Sequence, residues 1–148
     1  MNNSKPSILK ACLDFQQKQV DRFESRLDTI KADMNSQDNS PSQTENRNTG
    51  KLEVIANYEK ELIFAKMELS VLNSIRPDST SDQVELGAVV YTKDLNFFIS
   101  VSVGKISVDG KEFIGISTQA PIYKVMKGLK KGDTFSFNEN TYVIDELL

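Results

Sequence analysis

Apolar residues in the first third of the chain recur in two lines with the seven-residue spacing of a coiled-coil helix. The lines are Leu13, Val20, Leu27 and Met34, and Leu9, Gln16, Phe23 and Ile30. Gln16 is the one polar member, and polar or charged residues fill most of the positions between. Two lines sustained for nearly four heptads predict one long helix that buries a single stripe.

The pattern stops at residues 35–50, a segment that contains no hydrophobic residue and is rich in Asn, Ser and Thr. It then resumes in two further lines, Ile55, Leu62 and Leu69, and Tyr58, Ala65 and Leu72. Because neither helix can bury its stripe alone, we expect an antiparallel coiled-coil hairpin over residues 1–76. Its tip loop is predicted at about 35–50.

Beyond a polar linker at 77–84, the apolar period changes from helical to alternating. β-Branched and aromatic residues concentrate in 85–92, 96–103, 111–117, 134–137 and 141–147. Asp109-Gly110 is a strong hairpin signal, and Pro121 opens a short helix. The expected packing side of that helix is Ile122, Val125, Met126 and Leu129. The predicted fold class is α+β, with the hairpin followed by a small antiparallel-sheet domain and one short helix at 85–148.

Charge and composition exclude several classes of function. The formal net charge of −3 argues against a sequence-independent grip on nucleic acid. The chain has no histidine, which excludes catalytic and zinc sites built on that residue. The single cysteine, Cys12, permits no disulfide within the chain and is expected to act as a small hydrophobe. Since the sequence shows neither a secretory signal nor a membrane-spanning run, we expect a cytoplasmic protein.

Residues 114–147 carry an ordered set of short elements, each with a local structural reason. The elements are Ile116-Ser117, Ala120-Pro121, Lys127-Gly128, Gly132-Asp133 and Tyr142-Val143-Ile144. Proline presets a helix start, glycine permits tight turns, and aspartate accepts hydrogen bonds from backbone donors. The set follows a heptad hairpin and a linker, and it resembles the C-terminal signature of the GreA/GreB family of transcription elongation factors.

The resemblance implies an FKBP-like fold for residues 85–148 and RNA polymerase as the partner. In that family the C-terminal domain docks near the rim of the polymerase secondary channel, and the coiled coil enters the channel. Acidic residues at the tip then help the polymerase active site to hold Mg²⁺ and to cleave backtracked RNA. By this resemblance the chain is not an enzyme itself, binds no cofactor tightly, and is a monomer that meets the transcript only indirectly.

The tip of the hairpin departs from the family pattern of Gly-Asp, two residues, then Glu-Asn. Glu45-Asn46 matches the second half, but Ser42 stands at the position of the aspartate. An alternative registration starts at Gly50 and places Lys51 at that position, with Glu53 two residues further on, so neither supplies the acidic pair intact. The candidate metal-assisting acids are Asp38, Glu45 and Glu53, against the simpler interpretation of solvating charges on an exposed loop. Mg²⁺ is usually held by one or two carboxylates together with water and substrate oxygens, so we expect little stimulation of cleavage.

The candidate partner-binding residues lie on and around the short helix. They are Ala120, Pro121, Lys124, Lys127, Lys130 and Lys131. The lysines would meet an acidic surface of the polymerase, where such charges aid encounter and orientation. The alternative is a solvated helix face balanced by Asp133 and Glu139.

Two other functions remain open from the sequence. Long heptads often pair between chains, which would make this a coiled-coil interaction or scaffolding protein unrelated to polymerase. A prolyl isomerase would need an apolar cleft lined by aromatic residues.

The aromatic pairs Phe97/Phe98 and Phe135/Phe137 lie in predicted strands. We expect one ring in each pair to face the core and the other to face outward.

Overall fold

The computed structural model describes residues 5–36 and 41–148, with side chains described outside 35–49. Two long helices precede seven strands and one short helix. The helices are α1 (Lys5–Ser36), α2 (Pro41–Ser74) and α3 (Pro121–Met126). The strands are β1 (Val89–Tyr91), β2 (Asn96–Ser100), β3 (Gly104–Val108), β4 (Lys111–Ser117), β5 (Thr134–Phe137), β6 (Asn140–Val143) and β7 (Glu146–Leu147). The predicted α+β class is confirmed.

Contacts divide the described chain into two units. Gln16–Leu69 forms one, here called the hairpin unit, and residues 5–15 with Ser70–Leu148 form the other, the sheet unit. The sheet unit thus includes the first turns of α1 and the end of α2 beside the predicted region 85–148. The domain bounds expected from sequence, 1–76, 77–84 and 85–148, stay a prediction.

Within the hairpin unit, α1 and α2 pair antiparallel along the predicted seams. Val20, Leu27, Ile55 and Ala65 are buried, and the rings of Phe23 and Tyr58 lie 6.1 Å apart. The amide of Gln16 is buried as well, and its Nε2 donates a hydrogen bond to the carbonyl oxygen of Ala65 at 3.0 Å. The polar interruption in the heptads therefore has a defined partner across the seam.

The predicted tip loop at 35–50 is wrong for the residues that the structure describes at both of its ends, which are helical. Helix α1 continues to Ser36, and α2 already begins at Pro41. Proline is tolerated in a first helical turn because its missing N–H has no partner there in any case. The absence of apolar residues from 41–50 removes the packing stripe but does not itself forbid helix, so polarity alone was a poor guide to the boundary.

The main sheet has five strands in the order β3-β4-β2-β1-β7. Three pairings are antiparallel, but β2 and β4 run parallel, with Phe98 beside Gly115. The antiparallel sheet expected from sequence is therefore a mixed one. Asp109-Gly110 forms the predicted hairpin turn with positive φ at both residues, and β5 and β6 form a separate two-stranded sheet.

Both faces of the main sheet are covered, which corrects the expectation for the pair Phe97/Phe98. In the pair Phe135/Phe137, Phe135 is buried and Phe137 is half-buried. Phe98 belongs to a core with Ile8, Cys12 and Leu72 from the helix ends. Phe97 belongs to a second core on the opposite face, with Tyr123, Met126, Phe135 and others. Since adjacent residues of a strand point to opposite faces, neither ring of Phe97/Phe98 faces outward.

The packing side of α3 also differs from the prediction. Tyr123 and Met126 are its buried residues, whereas Val125 is 42% exposed. Tyr123 was overlooked because its hydroxyl lowers its apparent hydrophobicity, although the spacing from Tyr123 to Met126 suits one helix face. Val84, placed in the predicted polar linker, is buried in the same core.

No helix among the described residues is long and apolar enough to cross a membrane.

Gly115 lies where the chain that leaves β2 passes against β4. A Cβ atom at this position would lie 2.6 Å from the carbonyl oxygen of Val101 and would also collide with Cγ2 of Val103. Residues 101–103 must run here because β3 lies beyond β4 in the sheet order. A backbone oxygen cannot move aside as a side chain does, so the site requires glycine.

We predict that Gly115→Ala lowers the free energy of unfolding by about 1–3 kcal/mol, the usual range for overpacking a core. The matched control is Gly50→Ala in α2, where a Cβ atom meets nothing within 4 Å. That variant should be neutral or stabilised by up to about 1 kcal/mol from helix propensity. Chemical denaturation of both variants measures the difference, and equal stabilities would contradict the close approach.

Lys5, in the first turn of α1, is 4% exposed, and its Nζ has no hydrogen-bond partner among the described residues. Burial lowers the pKa of this ammonium from its ordinary value, and the nearby charge of Glu85 opposes part of that effect. The folded state therefore binds fewer protons than the unfolded state between the lowered pKa and the ordinary one. Stability should rise with pH across that window and be lost as pH falls through it.

We predict that Lys5→Met raises the free energy of unfolding at neutral pH by about 1–3 kcal/mol, the cost of a buried polar group without a partner. The variant should also lose the rise in stability between neutral and alkaline pH. Denaturation midpoints at a series of pH values test this, with the exposed Lys18→Met as control. A destabilised Lys5→Met would show that the ammonium is paired in solution.

Candidate functional site

The turn from β4 into α3 is built by the Ile-Ser and Ala-Pro elements of the C-terminal signature. The hydroxyl of Ser117 accepts a hydrogen bond from the backbone N–H of Gln119, and the carbonyl of Ser117 accepts one from Ala120, both at 3.0 Å. Ala120 has an extended backbone and precedes Pro121, which occupies the first turn of α3. The four residues thus fix where the helix starts, and Pro121 remains exposed.

The exit from α3 depends on the Lys-Gly element. Gly128 has a φ of +79°, in the left-handed region that favours glycine, and its N–H donates to the carbonyl oxygen of Val84 at 2.9 Å. The N–H of Val84 in turn donates to the carbonyl oxygen of Leu129 at 2.8 Å. This pair of hydrogen bonds ties the end of α3 to the residue that leads into the sheet.

The Gly-Asp element closes the next turn. The N–H of Gly132 donates a hydrogen bond to the carbonyl oxygen of Ile144 at 2.8 Å. The N–H of Ile144 in turn donates to the carbonyl oxygen of Asp133 at 2.9 Å. The carboxylate of Asp133 accepts a hydrogen bond from the N–H of Lys130 at 2.8 Å. Asp133 therefore satisfies a backbone donor before β5, and its carboxylate is engaged locally.

The four candidate lysines are all exposed but do not share one electrostatic environment. Lys131 forms an ion pair with Glu146 at 3.2 Å. Lys130 lines a shallow cavity of about 390 Å³ with Asp82 and Glu85. In the part of the chain that the structure describes, Lys124 and Lys127 form no ion pair.

The structure therefore brings Ala120, Pro121, Lys124 and Lys127 together on α3 and its two ends. It adds Val125, an exposed apolar residue of the same helix that the sequence analysis assigned to the core. Lys130 and Lys131 lie in acidic surroundings that the sequence did not reveal, because Glu146 is fifteen residues away along the chain. The short helix and its C-terminal end thus present one exposed apolar side chain and two ammonium groups, which suits a partner surface with both apolar and acidic groups.

Of the three candidate tip acids, the structure describes the side chain of Glu53 alone. Asp38 and the side chain of Glu45 lie outside the described residues, and Glu53 is exposed on α2. Among the described residues, no group of three or more acidic or cysteine side chains could hold a metal ion. Glu53 alone does not make a magnesium site, so the described residues do not fit the ion, and the role of all three acids stays a prediction.

Four phenylalanine rings of the sheet unit lie in its two cores. Phe97, Phe98 and Phe113 are at most 1% exposed, and the ring of Phe135 stacks on Tyr142 at 5.1 Å. These rings fill the two cores and are not available to line an open cleft. Cys12 is also sequestered, since it is 1% exposed and burial raises the pKa of its thiol to about 12.

No protein-family model matches the chain, and no curated protein matches it. Among solved structures, the chain is similar to GreA factor homolog 1 (Gfh1) of Thermus thermophilus, with 19% identity, coverage of 94% of this chain and 96% of that chain, and a TM-score of 0.35. A second structure, of the transcription factor Gfh1, is similar at 19% identity, 93% and 95% coverage and a TM-score of 0.31. At this identity and superposition the likeness carries no functional argument, so the function must be argued from this chain's own residues.

Proposed function

We propose that this protein is a Gre-like transcription factor that binds RNA polymerase with the surface around α3 and inserts its helical hairpin into the secondary channel. The observation that carries the proposal is the C-terminal signature of residues 114–147. Its elements keep the family order, and their backbone groups form the turns that lead into α3, out of α3 and on to β5. An ordered set with such a division of tasks is harder to explain by chance than any one motif within it.

The hairpin supports the same proposal over the scaffolding alternative. The heptad residues Val20, Leu27, Ile55 and Ala65 are buried within one chain, and Gln16 finds its partner there as well. A seam filled in this way leaves no matching stripe for a coiled-coil dimer through the same residues. The hairpin is therefore expected to act in a single copy, as insertion into a channel requires.

Occupying the channel, rather than strong stimulation of RNA cleavage, is the proposed mode of action. The tip has Ser42 where the family signature has aspartate. A factor with an incomplete acidic pair would still exclude other molecules from the channel and alter pausing, initiation or the rescue of backtracked complexes. The protein itself is proposed to carry out no chemistry and to hold no tightly bound cofactor.

We predict that the chain binds cognate core RNA polymerase and that Lys124→Glu/Lys127→Glu weakens binding by about 10-fold or more, because reversed charges oppose an acidic partner surface. The control Lys93→Glu/Lys105→Glu changes net charge equally with exposed lysines that lie on neither α3 nor the hairpin, and should weaken binding by less than about 2-fold at moderate salt. Fluorescence anisotropy of the labelled protein gives the affinities. Failure of the unmodified chain to bind at micromolar concentration would reject the polymerase function.

On a backtracked elongation complex, we predict that the bound chain releases little cleaved RNA and that Ser42→Asp increases the release. The substitution supplies the missing carboxylate, and a second acid should strengthen retention of Mg²⁺. The effect should disappear in Ser42→Asp/Glu45→Ala. Single-round cleavage on sequencing gels measures it, and rapid cleavage by the unmodified chain would overturn the assignment of channel occupancy as the main activity.

A further inference from the structure

A groove of about 610 Å³ runs along one side of the hairpin unit, between α1 and α2. Leu27, Leu62 and Ile63 supply its apolar surface, and Glu24, Asp28, Lys31 and Glu59 supply its polar rim. Leu27 belongs to the coiled-coil seam and is only 4% exposed. The groove is therefore a shallow continuation of the seam toward solvent.

Helix α2 has apolar residues beyond those that its seam with α1 requires. Ile63 is 60% exposed and Met67, one turn further on, is 61% exposed. Helices that pair through one stripe normally place polar residues on the opposite side, because exposed apolar surface favours association. Ile63 lines the groove, and Met67, four residues further on, is its neighbour on the same side of α2 although it does not line the groove itself.

The charges around the groove are unequal. Three carboxylates line it, from Glu24, Asp28 and Glu59, against the single ammonium group of Lys31. Lys31 is 3.5 Å from Glu59, and Glu24 is 3.6 Å from Lys66 at the border. Asp28 forms no ion pair with any residue that the structure describes. The residues that line the groove therefore carry a formal charge of −2, or −1 when Lys66 at the border is counted, beside its apolar surface.

We propose that this groove binds a basic amphipathic helix of another protein. The incoming helix would place its apolar side chains against Leu62, Ile63 and Met67, forming a three-helix bundle with α1 and α2, and its Lys or Arg residues opposite Asp28 and Glu59. Helix-in-groove recognition of this kind reads apolar anchors at helical spacing, with flanking charges setting orientation. The site lies on the hairpin and not on α3, so under the proposed function the helix and the polymerase channel would compete for this surface. The peptide-binding test needs no polymerase, so it stands or fails separately from the polymerase assay.

The test uses two synthetic helices of about 20 residues that share one Leu/Ile stripe, long enough to be helical when bound. One carries Lys on both flanks of the stripe and the other carries Glu. Anisotropy of the labelled peptides with the full chain should show the Lys peptide binding about 10-fold or more tightly than the Glu peptide. Ile63→Gln/Met67→Gln and Asp28→Lys should each weaken binding of the Lys peptide by about 5-fold or more.

The matched control is Phe64→Gln, since Phe64 is 57% exposed on the same helix but does not line the groove. That variant should bind the Lys peptide as the unmodified chain does. Equal binding of the two peptides, or equal effects of the Phe64 and Ile63/Met67 changes, would overturn the proposal. Sedimentation of the chain alone gives the remaining check, because a dimer that Ile63→Gln/Met67→Gln dissociates would assign the groove to a second copy instead.

Discussion

The close approach of residues 101–103 to Gly115 is the constraint on which the sheet unit depends. Because β4 lies between β3 and β2, the chain that leaves β2 has to pass β4 before it can form β3. The backbone oxygen of Val101 occupies the space that a side chain at position 115 would need. Without that passage β4 could not pair in parallel with β2. The start of α3 is set by the end of β4 at Ser117. The position of the candidate binding surface therefore also depends on the close approach at Gly115.

One continuous helix contributes to two separate cores. Near its start, Ile8, Leu9 and Cys12 pack in the sheet unit, while Val20 and Leu27 further along pack in the hairpin unit. The heptad repeat continues through both regions, although only the second is a coiled-coil seam. The helix ends cover only one face of the main sheet, and Tyr123, Met126 and Phe135 cover the other. A strand as short as β2 is almost wholly buried because both faces are covered.

The elements that could be predicted from the sequence are those that neighbouring residues specify. The heptads of α1 and α2, the Asp109-Gly110 turn and the start of α3 at Pro121 each follow from the preferences of neighbouring residues. The parallel pairing of β2 with β4 was not predictable in this way, because periodicity specifies which faces of a strand are apolar but not which strand lies beside it. The burial of both Phe97 and Phe98 follows from that same missing information. At the candidate site, Pro121, Lys124 and Lys127 could be selected by type and spacing, whereas the pairing of Lys131 with Glu146 needed the folded chain.

The hydrogen bond between Gln16 and Ala65 has a consequence for how such a hairpin can change in length. A single residue inserted into either helix beyond this pair would rotate all later side chains by about 100°, since the helix has 3.6 residues per turn. The seam residues past the insertion would then leave the interface. Only insertions of a whole heptad in both helices together would preserve both the seam and the glutamine contact. The reach of the hairpin is therefore expected to vary among descendants of this sequence in discrete steps of about 10 Å, the rise of seven helical residues.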